Sequence, residues 1–361
     1  MNVERLSINN FRNIEKINIE PCEKVNIIYG ENAQGKTNIL ESIWLCTGCR
    51  SFRSTKDKEM IRFEQPKAEI NLDFFAGERH QQMKIEIEEK RKVQLNSIPL
   101  SSPGKSLGEF LAVVFSPAHL SLIKQGPGER RKFIDTAIGQ LKPNYASLLT
   151  KYNRAVAQRN ALLKDSYNHS EITDMVEIWE NTIAAYAERI ITYRLSYLEK
   201  LKEEVKDIYS GLSCGREEIG IAYKQGEEEK NQYTTKEEFK ELLISSRKND
   251  FFTGSTSVGP HRDDIEISIN GVSARKFGSQ GQQRSCALAL KLGEASMIRK
   301  VSGEQPVALL DDVMSELDIS RQDYILNHIK DWQVFITCCD PNTILHLKEG
   351  ETFRIEKGQC F

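Results

Sequence analysis

The run Gly30-Glu31-Asn32-Ala33-Gln34-Gly35-Lys36-Thr37 fits the pattern G-x-x-x-x-G-K-[ST] without a mismatch. The chemistry of that pattern is phosphate binding. Its glycines let the backbone wrap so that successive N–H groups face phosphate oxygens, and a helix starting there adds its positive dipole end. Lys36 is expected to reach the β- and γ-phosphates of a nucleoside triphosphate, and Thr37 to place its hydroxyl on Mg²⁺. Far along the chain, Pro306-Val307-Ala308-Leu309-Leu310 is an apolar run that ends in Asp311-Asp312. Asp311 is expected to hold the Mg²⁺, and Asp312 to orient or deprotonate an attacking water. A third candidate is Ser279-Gln280-Gly281-Gln282-Gln283-Arg284, ahead of the helical run Ser285 to Arg299. Ser and Gly serve there as caps. The same terminus offers the Ser279 hydroxyl and the Gly281 amide to a γ-phosphate. The phosphate loop already serves that phosphate in its own chain, so the second terminus is best used by another copy. This predicts a two-fold homodimer with two ATP molecules at its interface.

Positioning these groups requires particular elements. Val25 to Tyr29 is apolar and Asn38 to Leu45 amphipathic, the strand–loop–helix context the phosphate loop needs. Val3-Leu6-Ile8 and Ile14-Ile17-Ile19 alternate as strands do. Ala68-Ile70-Leu72-Phe74 and Met83-Ile85-Ile87, joined through Ala76-Gly77-Glu78-Arg79, predict an antiparallel hairpin. Leu111 to Phe115 reads as a buried strand. From Glu129 to about Gly211 the period is helical, broken over Asp165 to Ser170. One stripe holds Ile134, Ile138, Leu141, Leu148, Tyr152, Val156 and Leu163; a second holds Ile178, Ile183, Tyr186, Ile190, Tyr193 and Tyr197. Helical hairpins projecting from a globular head would carry such stripes. Residues 215 to 258 show little pattern. The sheet pattern resumes with Ile265-Ile267-Ile269 and a turn at Asn270-Gly271.

Net charge is −2 and 39 % of the 361 residues are apolar, so no whole-chain charge announces a nucleic-acid partner and any such site must be local. No apolar stretch approaches a membrane span, and Met1-Asn2-Val3-Glu4-Arg5 lacks a secretory layout, so a cytoplasmic protein with no membrane partner is expected. Cys46-x-x-Cys49 with Cys338-Cys339 has the count of a four-sulfur zinc site. Cys46 ends the phosphate-loop helix, however, where a small buried residue is the commoner role, and reduced thiols are expected. Between Glu129 and Lys164, eight basic residues (Arg130, Arg131, Lys132, Lys142, Lys151, Arg154, Arg159, Lys164) face only Glu129 and Asp135. The returning segment is acidic, with Glu171, Asp174, Glu177 and Glu180. The basic strip, with Arg50, Arg53, Lys56, Lys58 and Arg62, is a candidate contact to DNA phosphates. Without interleaved aromatics, backbone contact with little base readout is expected.

Taken together, the phosphate loop, Ser279-Gln280-Gly281-Gln282-Gln283, Leu310-Asp311-Asp312 and Ser315-Glu316-Leu317-Asp318 resemble the ABC-type ATPase heads of SMC-like proteins. More narrowly, Phe11-Arg12-Asn13, Gly259-Pro260-His261-Arg262-Asp263-Asp264, Phe277-Gly278-Ser279-Gln280-Gly281-Gln282-Gln283-Arg284 and Asp311-Asp312-x-x-Ser315-Glu316-Leu317-Asp318 resemble the RecF family of bacterial recombination mediators over essentially the whole chain. The resemblance implies an α/β ABC-type head with mixed and antiparallel sheets plus an inserted helical arm. Residues 1–120 would form the first half of the head, 121–255 the arm and 256–361 the second half. It also implies that Arg12 joins the nucleotide site, and that the family dimerises with ATP on DNA, hydrolyses it slowly and helps load RecA, with RecO and RecR as partners, in repair, replication restart and the SOS response. Two departures from broader ABC heads stand out. Asp312 occupies a position that usually holds Glu, which predicts modest turnover, and Cys338-Cys339 follow the strand where transporter heads carry a switch His. Gln125 is a candidate for the loop Gln. An ATP-binding subunit of another ABC-type assembly, such as a transporter, is the alternative; the long insertion between Thr37 and Asp311 and the missing His speak against it.

Overall fold

The computed structural model describes residues 1–53, 56–120, 122–165, 172–226, 233–340 and 350–361. The predicted break at 166–170 and Glu171 lie outside them, as does the side chain of Asp174. An antiparallel sheet runs in the order Ile14–Ile19, Asn2–Phe11, Ala68–Ala76, Arg79–Ile87, Arg91–Leu95, Ile98–Pro99. The predicted hairpin is present, with Ala76 opposite Arg79 across a Gly77-Glu78 turn. A second sheet runs in the order Gln359–Cys360, Gly350–Glu356, Val25–Tyr29, Val334–Cys338, Val307–Leu310, Ala112–Phe115, parallel apart from its terminal hairpin.

The inner parallel strands are apolar on both faces because both faces are covered. Ile27, Val113, Phe115, Leu310 and Ile336 pack into one core shared with the helices. Ile28, Val114, Leu309 and Phe335 pack into another, shared with the antiparallel sheet. The helix Lys36–Leu45 lies in that second core, with every residue but Thr37 buried. The amphipathic character expected of it is therefore not what positions it. Four parallel strands end on one edge, at Tyr29, Phe115, Leu310 and Cys338, which opens a crevice outside their carboxyl ends where ligands of α/β folds bind.

The helices Pro127–Leu141, Pro143–Asp165, Ile172–Ser213 and Lys236–Thr253 build the inserted region. Ile134, Ile138, Leu148, Tyr152, Val156 and Leu163 are buried as their stripe requires. The second stripe starts later than expected: Ile183, Ile190 and Tyr197 are buried, but Ile178 is two-thirds exposed. A third sheet, Val272–Ser273, Asp264–Ile269 and Ile219–Lys224, takes strands from both sides of residue 255.

The basic strip does not survive as one surface. Arg130 is buried and grips Asp264 with Nε and Nη2 at 2.7 and 2.8 Å. Arg159 is fully buried, its Nη1 2.7 Å from Asp250 and its Nη2 2.9 Å from Glu180, which Arg247 also pairs. Both are core ion pairs, because a buried guanidinium needs a carboxylate beside it. Lys132, Lys142, Lys151, Arg154 and Lys164 remain exposed. Removing one member of a buried pair strands the other, so Arg159→Leu is expected to destabilise the fold by about 3 to 5 kcal/mol, read as a lower urea midpoint.

Candidate nucleotide site

The loop Gly30 to Gly35 joins the central strand Val25–Tyr29 to the buried helix start. Lys36 Nζ donates to the carbonyls of Gly30 at 2.7 Å and Glu31 at 3.1 Å, which holds the ammonium over the loop. Thr37 Oγ1 donates to Asp311 Oδ1 at 2.7 Å, across 274 residues of sequence. Burial holds the Asp311 carboxyl above its ordinary range; the Thr37 hydrogen bond opposes the shift and the Asp312 carboxylate adds to it. Asp312 adopts φ 48°, in the left-handed region that Asp and Asn tolerate better than most residues, and its side chain lines the cavity beside the loop. Its N–H donates to Thr337 Oγ1 at 2.8 Å, and Thr337 Oγ1 lies 3.1 Å from Asp311 Oδ1. One carboxylate and two hydroxyls are the hard oxygen donors that Mg²⁺ takes, with its remaining positions left to water and phosphate. The residues fit that ion, and Thr37 and Asp311 would hold it.

A cavity of about 510 Å³ runs from Asn32, Ala33, Gly35, Lys36 and Thr37 to a rim of Arg12, Asn13, Asn38, Arg53, Glu59 and Ile61. Gly30, Glu31 and Gln34 instead line a second cavity of about 370 Å³. The first rim is organised by Glu41, a fully buried carboxylate. Arg12 donates to it from Nε at 3.0 Å and Nη2 at 2.7 Å, and from Nη1 to the Glu59 carbonyl at 2.7 Å. Ser51 Oγ donates to it as well. Arg53 lies 3.8 Å from Glu41 and donates to Asn38 Oδ1 at 2.7 Å. Arg53 therefore stands at the rim of this cavity with its side chain about half exposed. Lys58 and Arg62 are drawn to Glu89 and Glu15 at 3.4 and 3.0 Å.

Ser279 caps the helix Gln280–Ser302 through a reciprocal box with Gln282. Its Oγ accepts the Gln282 N–H at 3.2 Å, and Gln282 Oε1 accepts the Ser279 N–H at 2.8 Å. Ser279 and Gln280 are exposed, and neither they, Gly281 nor Gln282 lines the cavity at the phosphate loop. The loop after Asp312 is tied to this terminus. Arg284 pairs Glu316 at 2.8 Å, and Arg321 donates to Ser285 Oγ at 2.9 Å and to the Gly281 carbonyl at 3.2 Å. Gln125 sits ahead of the helix Pro127–Leu141, away from the cavity, with its carbonyl accepting from Arg130 at 2.7 Å.

The family model described as RecF/RecN/SMC N terminal domain matches residues 2–359. The DNA replication and repair protein RecF of Acetivibrio thermocellus is 40% identical over 100% of both chains, and that of Clostridium acetobutylicum 41% identical over 99% of both. The chain belongs to the RecF family. A solved structure of the recombination mediator protein RecF with ATP in the RecFOR pathway matches 99% of this chain and 96% of its own, at TM-score 0.91 and 38% identity. An Smc head bound to the C-winged helix domain of ScpA, at 15% identity and TM-score 0.56, shares the fold alone.

In this member of the RecF family, Thr337 and Glu41 were missed from the sequence. Thr337 reads as an ordinary strand residue. Glu41 left a signal: a carboxylate among Ile39, Leu40, Ile43 and Trp44 on one short helix has to find a cation indoors.

Proposed function

We propose that this chain is an ATP-dependent DNA-binding protein of recombinational repair and replication restart, acting in the cytoplasm as a homodimer that closes around two ATP molecules. The observation that carries the reading is the contact between the Thr37 hydroxyl and Asp311, where a phosphate loop meets the strand-end acid of an ATPase. In this reading Lys36 and the loop amides, from Gly30 to Thr37, bind the triphosphate, with Arg12 and Arg53 adding positive charge at the rim. Mg²⁺, which Thr37 and Asp311 would hold, would supply positive charge to offset that of the triphosphate. Asp312 accepts the proton of the attacking water, and Thr337 fixes where that carboxylate starts. The capped Ser279 keeps its own O–H to donate, and it and the Gly281 amide would face the γ-phosphate held by the other copy. Arg284–Glu316 and Arg321–Gly281 tie that terminus to the loop behind Asp312, a route through which the two sites of the dimer would be coupled.

The division into head halves 1–120 and 256–361 with an arm at 121–255 belongs to the same proposal, as do weak DNA-stimulated hydrolysis, RecA loading, RecO and RecR as partners, and the SOS response. The likeness to RecF proteins along the full chain supports them. Among the described residues no helix is long and apolar enough to cross a membrane. Lys132, Lys142, Lys151, Arg154, Lys164, Arg50 and Lys56 are exposed cations offered to DNA phosphates. Sedimentation with ATP, ADP or no nucleotide, repeated with gapped DNA, tests the reading. A dimer is expected with ATP and Mg²⁺ only, with DNA affinity falling at least about tenfold when salt rises from roughly 50 to 200 mM. A monomer at saturating ATP overturns it.

A further inference from the structure

The terminal hairpin has no part in the chemistry above, yet it rests on the phosphate loop. Gly350–Glu356 runs parallel to Val25–Tyr29 with Arg354 opposite Tyr29, then turns through Lys357-Gly358 into Gln359–Cys360. At the turn, Lys357 N–H donates to Gln34 Oε1 at 2.6 Å and Gly358 N–H to the Gln34 carbonyl at 3.2 Å. A Cβ on Gly358 would stand 2.6 Å from the Asn13 carbonyl oxygen. Asn13 holds the same loop from the other side: its Nδ2 donates to the Ala33 carbonyl at 2.9 Å, and its Oδ1 accepts from Asn38 Nδ2 at 2.7 Å. Along the strand, a Cβ on Gly30 would stand 2.3 Å from the Ile355 carbonyl oxygen, so the loop and the hairpin are in direct backbone contact.

We infer that the C-terminal hairpin is a positioning element of the nucleotide site, its Lys357-Gly358 turn and Asn13 together clipping the crest of the phosphate loop at Ala33 to Gly35. A phosphate loop binds through several N–H groups that must point inward at once. Fixing them before the ligand arrives removes an ordering cost from binding. Asn13, Gln34 and the turn are drawn from positions near the two ends of the chain, so the first and last hairpins jointly hold a loop that neither encodes. Gln34 is a positioning residue here, acting through the loop amides and not on the reacting atoms.

The inference rests on the phosphate-loop reading, and ATP binding by the parent protein tests that reading separately. Gly358→Ala places a methyl against Asn13. Gly271→Ala is its control, because Gly271 has φ 77° against 75° for Gly358, in a turn where an added Cβ meets nothing within 4 Å. Both variants suffer the same backbone strain, and only one disturbs the clip. Gly358→Ala is expected to raise the Kd for ATP about tenfold, and Gly271→Ala less than about twofold, with the larger loss of Tm in Gly358→Ala because its methyl also meets backbone. KM for ATP should rise in Gly358→Ala while kcat at saturating ATP holds. Gln34→Met, which keeps length and removes the acceptor, should weaken ATP binding in the same direction and serves if Gly358→Ala does not fold. A folded Gly358→Ala or Gln34→Met that binds ATP as the parent does, or a Gly271→Ala that weakens it equally, overturns the inference.

Discussion

Asp312→Asn is expected to lower ATP turnover by at least about 100-fold while ATP and Mg²⁺ still bind and the dimer accumulates. The substitution isolates one property. Asn adopts the left-handed conformation as readily as Asp, so φ 48° at this position is kept. The backbone N–H still donates to Thr337 Oγ1, so the end of the strand is not disturbed. What is lost is the negative charge that takes the water's proton. Ground-state binding should be unharmed or slightly stronger, because the Asp312 carboxylate is one of the groups that push the Asp311 carboxyl upward, and removing it makes Asp311 a better anion. Single-turnover hydrolysis and sedimentation on the same preparation read both quantities. Parental turnover in Asp312→Asn would remove Asp312 from the water-orienting role.

The parts of the site that are legible in the sequence are those written contiguously. The phosphate loop is one run, and the strand Val307–Leu310 ends visibly in carboxylates. The parallel edge that brings them together is not written anywhere. It emerges from register: Leu310 pairs with Ile336, which sets Thr337 beside Asp311. For the same reason charge counting fails over residues 129–164. Arg130 finds Asp264 134 residues away, and Arg159 finds Asp250 91 residues away besides Glu180 on the returning helix, and a tally of signs along one helix cannot see a carboxylate arriving from another element. The helix Lys236–Thr253 is legible at its ends. Thr235 and Glu238 form a capping box at its start, and Gly254 ends it at φ 64°. Its charged, weakly periodic face hid it among residues 215 to 258.

Mixing two inactive variants is expected to restore activity, and this is the sharpest consequence of a site shared between copies. Lys36→Ala removes the ammonium over the phosphate loop, and with it most triphosphate binding. Ser279→Arg puts a long cation on the exposed terminus that would face the partner's γ-phosphate. Each homodimer then carries two defective sites. In a heterodimer both lesions fall in one site, where the Lys36→Ala loop meets the Ser279→Arg terminus, and the other site has an intact loop and an intact terminus. A mixed dimer holds one sound site, so with random pairing turnover would recover to about a quarter of the parental value, and weaker ATP-driven pairing by Lys36→Ala lowers that figure. Ser279→Arg also loses a helix cap, at a cost of about 1 kcal/mol, which a thermal melt reads independently of activity. If Ser279→Arg alone turned over ATP at the parental rate, or if the mixture stayed at the level of its parts, the terminus at Ser279 would have no share in the neighbouring pocket. The cavity itself favours the shared arrangement: Asp312 and Lys36 meet around it within one chain, while Ser279 to Gln282 stand on a separate exposed helix start, bound to the loop behind Asp312 through Arg284 and Arg321.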